Sequence, residues 1–370
     1  MLINEFQLLL EIRSIDGRVL GQRRVEPNWE PACEAARFAC WRKTPGSVAA
    51  FSADAVIEPI AQQSNGLPLA IGFSVTLMAD GKPLDRCEFP VTYPGFTARA
   101  HAISSEMVTA GLLKDGETFR YQLLAFPRER ANGRQPAQPL FNVVDVVRAP
   151  PLKPASFATL MSAAVPFGEL TAGDMPVFIP QQILDEASAL TRQADRVETG
   201  GILVGHLCVD GSIPEIAVHV TAQIPARYAA GEVGKLTFTA ETWAAVQAAL
   251  ALRRSDEIMV GWFHSHPAFA WCEKSAQCPS ERSRGCALMQ SFFSADDVFL
   301  HETVYPSAYN IALVVTNTNN TGDGLKHALF GWRQGTVRQR GFHILNPDRS
   351  WKPVNATVQG GKTYATPPCK

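Results

Sequence analysis

The residues best equipped for chemistry stand in the stretch GWFHSHP at 261–267, where Ser265 separates His264 from His266. Side-chain direction repeats every two residues along an extended strand, so the two imidazoles face the same way and offer a two-pronged grip to a metal ion. Taken alone, the triplet also fits surface or satisfied core histidines. Downstream, SFFSADDVFLHE at 291–302 carries a helix start. Ser294 reads as its N-cap, and Asp296 and Asp297 stand in the first turn, where carboxylates complement the helix dipole whatever else they do. Upstream, Glu198 precedes two glycines and an apolar strand, a place where a surface carboxylate would be unremarkable. A further group is Cys272, Cys278 and Cys286, three thiols within fifteen residues. They lack the tight CxxC pair of common zinc folds. A structural metal clip completed by Cys208, His206, His301 or Cys369, one disulfide, and a set of free thiols are all open readings.

The elements that must position these residues follow from periodicity and turn chemistry. NEFQLLLEIRS and VLGQRRV flank an Asp-Gly turn and predict a hairpin over 4–20. EPACEAARFACWR predicts a helix, with Cys33 and Cys40 on one face and suited to packing. GFSVTLMAD and PLDRCEFPVTY predict a second hairpin, AHAISSEMVTAGLLKDG a helix that opens near His101, and ETFRYQLLAFP a closing strand. His101 is expected to cap or face solvent. This makes residues 1–147 a small α+β recognition domain, ending in the strand-like FNVVDVV. Prolines 150, 151 and 154 predict a linker over 148–172, since proline is excluded from helix interiors and central strands.

Strands and helices alternate in the second half: MPVFIP, QQILDEASALTRQAD, ETGGILVGHL, IAVHVTAQI, LTFTAETWAAVQAALALRR, IMVGWF and NIALVVTN. A hairpin in KHALFGWRQGTVRQRGFHI closes the series. The pattern predicts a sheet flanked by helices over 173–345 and an extended tail over 346–370. His327 and His343 are expected to be structural. The fold class is thus mixed, α+β or α/β, in two domains.

Composition narrows the function. The chain has 370 residues, 46% of them hydrophobic, enough for two cores. With 34 basic against 35 acidic residues, no charge excess points to nucleic acid or an anionic membrane. The absence of a long apolar run or a signal-like N-terminus predicts a cytoplasmic protein. Eight cysteines, mostly isolated, do not make a disulfide framework.

A Glu, then His-Ser-His-Pro, then Ser-x-x-Asp, in that order, resembles the JAMM (JAB/MPN, Mov34-type) family of zinc metallo-isopeptidases over about 173–345. ETGGILVGH and MVGWFHSHP resemble the family's two motif-bearing strands. The resemblance implies a JAB/MPN-like mixed sheet, with His264, His266 and Asp297 as zinc ligands and a water in the fourth position. Such a zinc lowers the pKa of its water to about 7. Glu198 would accept the water's proton and pass it to the leaving amine. Ser294 would donate to the carbonyl oxygen as it becomes an oxyanion, a contact worth about 3 kcal/mol. Ser265 is given no chemistry.

One departure is length. Between His266 and Ser294 lie 27 residues, where the family motif has seven, so an insertion occupies 268–290. It makes Asp296 and Ser291 rivals, but only Ser294 and Asp297 have the three-residue spacing. The expected function is a hydrolase that removes a ubiquitin-like modifier from lysine or processes its C-terminus. Its partners would be a ubiquitin-like protein or its conjugates, with modifier-activating and modifier-conjugating enzymes around it. Bacterial members accompany ubiquitin-like conjugation and antiphage defence systems. Two other readings are a metallopeptidase acting on a sulfur-carrier protein or small peptide, and a metal-free MPN-type scaffold.

Overall fold

The structure, a computed structural model, describes residues 2–4, 6–64, 66–91, 96–128, 149–232, 234–253, 255–271, 289–318 and 324–346. Its chain divides into two compact units, one of Met1–Ala149 and one from Pro150 onward, apart from Gln334–Thr336. Both mix strands and helices in an α+β manner.

The first unit contains β1 (Leu2–Asn4), β2 (Phe6–Ser14), β3 (Val19–Val25), α1 (Glu30–Lys43), α2 (Ala49–Ser52), β4 (Asp54–Ser64), β5 (Leu67–Ala79), β6 (Lys82–Pro90), α3 (Phe96–Thr109) and β7 (Phe119–Pro127). They build a seven-stranded sheet in the order β1-β4-β5-β7-β2-β3, with β6 beside β5. The hairpin between β5 and β6 turns on Asp80 and Gly81, at φ 51° and 74°. Both lie in the left-handed region that a type I′ turn requires, which is why the sequence reads Asp-Gly there. Alternate residues Leu8, Leu10 and Ile12 are buried on one face of β2. Phe73 stacks between Phe6 and Phe96, with ring centroids 6.1 and 5.4 Å away. Cys33 and Cys40 are both buried on α1. Helix α3 begins five residues before His101, so that histidine sits in its second turn and not at its start, with its ring edge-on to Phe119. FNVVDVV lies outside the described residues.

The second unit contains β8 (Leu152–Pro154), α4 (Phe157–Ser162), β9 (Ala164–Phe167), β10 (Val177–Pro180), α5 (Gln181–Ala194), β11 (Gly200–Asp210), β12 (Ile213–Pro225), β13 (Ala230–Glu232), β14 (Lys235–Thr237), α6 (Ala240–Arg253), β15 (Ile258–His266), α7 (Ala295–Val304), β16 (Ile311–Asn317), β17 (Leu325–Arg333), β18 (Thr336–Arg340) and β19 (Phe342–Leu345). Its ten-stranded mixed sheet runs β18-β17-β16-β15-β11-β12-β10-β19-β9, with β8 beside β11. Strand β11 is buried along Gly200–Cys208, as a central strand covered on both faces must be. On one face Ile202, Val204, Trp262, Val314 and Phe330 pack with Val246 of α6 and Tyr305. Truncating Trp262 or Phe330 to alanine would cost about 3–5 kcal/mol by the lost burial and the cavity left behind.

Of the stretch read as a linker, 148–172, the part from Pro150 onward belongs to this unit. Strand β8 pairs in parallel with Leu207–Val209, continuing the place that β15 holds beside Gly200–Gly205. The prolines limit the strand to three residues instead of forbidding it. Phe157 packs on Phe178, Cys208 and Leu345, and its backbone N–H donates to Asp210 Oδ2 at 2.7 Å. Among the described residues, no helix is long and apolar enough to cross a membrane.

Candidate metal centre

Two neighbouring strands and one helix assemble the site. On β15, the period-two alternation puts Trp262, His264 and His266 on one face. Both histidines are buried, and their Nε2 atoms lie 2.9 Å apart. Helix α7 starts in a capping box: Ser294 Oγ accepts from the Asp297 N–H at 3.1 Å, and the Ser294 N–H donates to Asp297 Oδ2 at 2.7 Å. That box aims the Asp297 carboxylate at the imidazoles, with Oδ1 3.1 Å from His264 Nε2 and Oδ2 3.6 Å from His266 Nε2.

The three groups fit a zinc ion. A tetrahedral zinc with bonds of about 2.0–2.1 Å separates its ligand atoms by about 3.3 Å, and the separations of 2.9, 3.1 and 3.6 Å straddle that edge. They form a buried cluster able to hold a metal among the described residues. The rivals fall away by geometry. Asp296 is exposed on α7, and Ser291 Oγ pairs with Thr316 Oγ1 at 3.0 Å.

Glu198 stands two residues before β11, within electrostatic reach of His264 and Asp297. Gly200 stands opposite His264, and Thr199 is tied twice to Ser265: the Ser265 N–H donates to the Thr199 carbonyl, and the Thr199 N–H donates to Ser265 Oγ at 3.0 Å. Ser265 therefore holds the Glu198 segment against the histidine strand. From the other side, the Glu198 N–H donates to the Glu232 carbonyl on β13 at 2.8 Å. A Cβ on Gly231 would lie 2.0 Å from the Glu198 carbonyl oxygen, so that approach needs glycine.

Electrostatics separate the groups. Burial pushes the Glu198 carboxyl up to about 8, opposed by His264 and reinforced by Asp297 and Asp296. Burial also pushes His266 down to about 4. For His264 the neighbouring Asp297 and Glu198 outweigh burial and raise it, and the two imidazoles hold Asp297 ionised against its own burial.

An aromatic sleeve surrounds the cluster. The indole of Trp262 stacks on His264, centroids 4.5 Å apart and planes 15° from parallel. Trp271 and Phe292 flank His266 at 5.0 and 4.7 Å. The described ends of the insertion are apolar and anchored: Ala268, Phe269 and Met289 are buried, and Lys326 Nζ donates to the Met289 carbonyl at 2.9 Å.

Cys272, Cys278, Cys286 and Cys369 lie outside the described residues. Their suggested partners have other roles here. Cys208 is buried in the core beside Phe157, His206 Nε2 pairs with Lys153 Nζ at 3.1 Å, and His301 Nδ1 accepts from Trp262 Nε1 at 3.1 Å. His327 Nε2 meets Ser188 Oγ at 2.9 Å, and His343 stacks on Phe178. The sequence reading missed Trp262 and the β13–β14 ribbon as parts of the site. A tryptophan two residues before His264 was the available signal for the first.

No protein-family model matches the chain, and no curated protein does. Among solved structures the chain is similar to the solution structure of protein DSY2949 from Desulfitobacterium hafniense, at 19% identity and a TM-score of 0.30 over 44% of this chain and 89% of that one. A likeness that weak carries no conclusion about fold or function.

Proposed function

We propose that the second unit is a JAMM-like, zinc-dependent isopeptidase with a JAB/MPN-like sheet, cleaving a ubiquitin-like modifier from lysine or trimming its C-terminus. One observation carries the reading: two imidazole nitrogens and a carboxylate converge in a buried site beside a second buried carboxyl, Glu198. His264, His266 and Asp297 would hold the zinc, which when bound would supply Lewis acidity and lower the pKa of a water to about 7. Glu198 takes the proton of the attacking water and delivers it to the leaving amine. Ser294 Oγ accepts from the Asp297 N–H, which leaves its own hydrogen to donate to the scissile carbonyl oxygen as negative charge builds there. Trp271 and Phe292 wall off His266 and keep water from that side. The partners in this reading are a ubiquitin-like protein or its conjugates, met in the cytoplasm.

The test is cleavage of a panel of modifier fusions and short peptides by the wild type and by Glu198→Gln. Cleavage of a fusion by the wild type, lost in the variant with zinc retained, is the expected result. Undiminished cleavage by Glu198→Gln would remove the mechanism. Cleavage of short peptides alone would replace the substrate with a peptide or sulfur-carrier protein.

A further inference from the structure

Ligating imidazoles are ordinarily oriented through their second nitrogen, which donates to a carboxylate, carbonyl or water. Here neither His264 Nδ1 nor His266 Nδ1, both buried, has a hydrogen-bond partner among the described residues. What lies against the His264 ring is the indole of Trp262, nearly parallel at 4.5 Å. The indole is in turn fixed by its Nε1–H, which donates to Nδ1 of the fully buried His301. Tryptophan only donates, so the neutral His301 ring must carry its own proton on Nε2.

The placement of His301 is specific. It stands four residues after Asp297 on α7, so the two share a helix face about 6 Å apart. Trp262 stands two residues before His264 on β15, so those two share a strand face about 6.6 Å apart. The matching spacings allow two rungs between the same helix and strand: Asp297 to His264 at 3.1 Å and His301 to Trp262 at 3.1 Å. The geometry points to His301 as a positioning residue that acts through Trp262, setting both the plane of His264 and the register of α7, and hence of Asp297. This inference rests on the zinc site proposed above.

The experiment is zinc affinity by chelator competition on the purified full chain. His301→Leu deletes the acceptor, and outer partners of ligating histidines are ordinarily worth about 10–100-fold in metal affinity. A loss of that size is expected, with His301→Gln, which restores an acceptor, recovering most of it. In a Trp262→Phe background, which keeps a ring against His264 but has no N–H, His301→Leu should change affinity by less than about twofold. Should His301→Leu fail to fold, Trp262→Phe carries the test alone and must lose affinity about fivefold or more. Unchanged affinity in folded His301→Leu, or in Trp262→Phe, overturns the inference and leaves the proposed function standing. The expected affinity pattern in a protein that cleaves no modifier or peptide overturns the function and leaves the positioning role standing. A wild type that binds no zinc overturns both.

Discussion

Two acidic side chains in the second unit, Glu257 and Glu198, are both withdrawn from water yet held in opposite states. Glu257 lies just before β15, its side chain only 4% exposed. Arg253 grips it through two nitrogens, and Ser255 and Thr221 donate to it as well. Those donors push its carboxyl down to about 2. Glu198 lies at the other end of the same strand neighbourhood, and among the described residues no hydrogen bond or salt bridge engages its carboxyl. Burial, reinforced by Asp297 and Asp296 and opposed by His264, carries it up to about 8. A carboxylate whose charge is answered by partners is part of the scaffold; one whose charge is unanswered can exchange a proton near neutral pH.

Substitutions can break or sharpen this contrast. Glu198→Gln is expected to have the largest effect, a fall of about 10²–10⁴-fold in kcat/KM with zinc content unchanged, read by steady-state cleavage and metal analysis. Gly231→Ala should follow. Its new Cβ must push the β13–β14 ribbon off the Glu198 carbonyl, and a misplacement of about 1 Å costs on the order of 10–100-fold in kcat/KM while zinc stays bound.

Glu257→Gln should leave catalysis within about twofold and cost about 1–2 kcal/mol in urea denaturation, the smaller figure allowing for the exposed part of Arg253. Its pH dependence has a definite sign. A carboxyl depressed to about 2 when folded stabilises the protein above the unfolded value of 4.5, and that contribution fades as pH falls from 4.5 toward 2. The gap between wild type and Glu257→Gln should therefore close in that window. Glu198 predicts the reverse: in metal-free protein a carboxyl raised to about 8 destabilises increasingly as pH climbs from 4.5 to 8. Glu198→Gln should accordingly gain about 1–3 kcal/mol over wild type across that range. Ser265→Ala is expected to have the smallest effect, about 1 kcal/mol from the Thr199 N–H left without its acceptor.

Much of the local structure could be read from the chain alone. The period-two histidines, the Asp-Gly turns and the Ser294 cap rest on rules confined to a few neighbouring residues, so the sequence displays them directly. The strand succession of the second half was legible for the same reason. Three features were not. Strand β8 is three residues long among prolines, and only its pairing with β11 makes it a strand. The hold of β13 on Glu198 runs through backbone atoms, so it leaves no side-chain signature apart from Gly231. His301 was noticed only as a spare ligand for the cysteine loop. Its bond to Trp262 depends on a helix and a strand meeting in one register across 39 residues of chain, which no local pattern encodes.

Glu198 has a catalytic role only if the neighbouring cluster holds zinc. Metal analysis of the wild type against Asp297→Asn, both shown to be folded, tests this most directly, because Asp297 can be neutralised without changing its size. Any zinc held by Cys272, Cys278 and Cys286 would be common to both proteins. Loss of one zinc per chain in Asp297→Asn is the predicted result, and an equal zinc count in the two proteins would contradict the assignment.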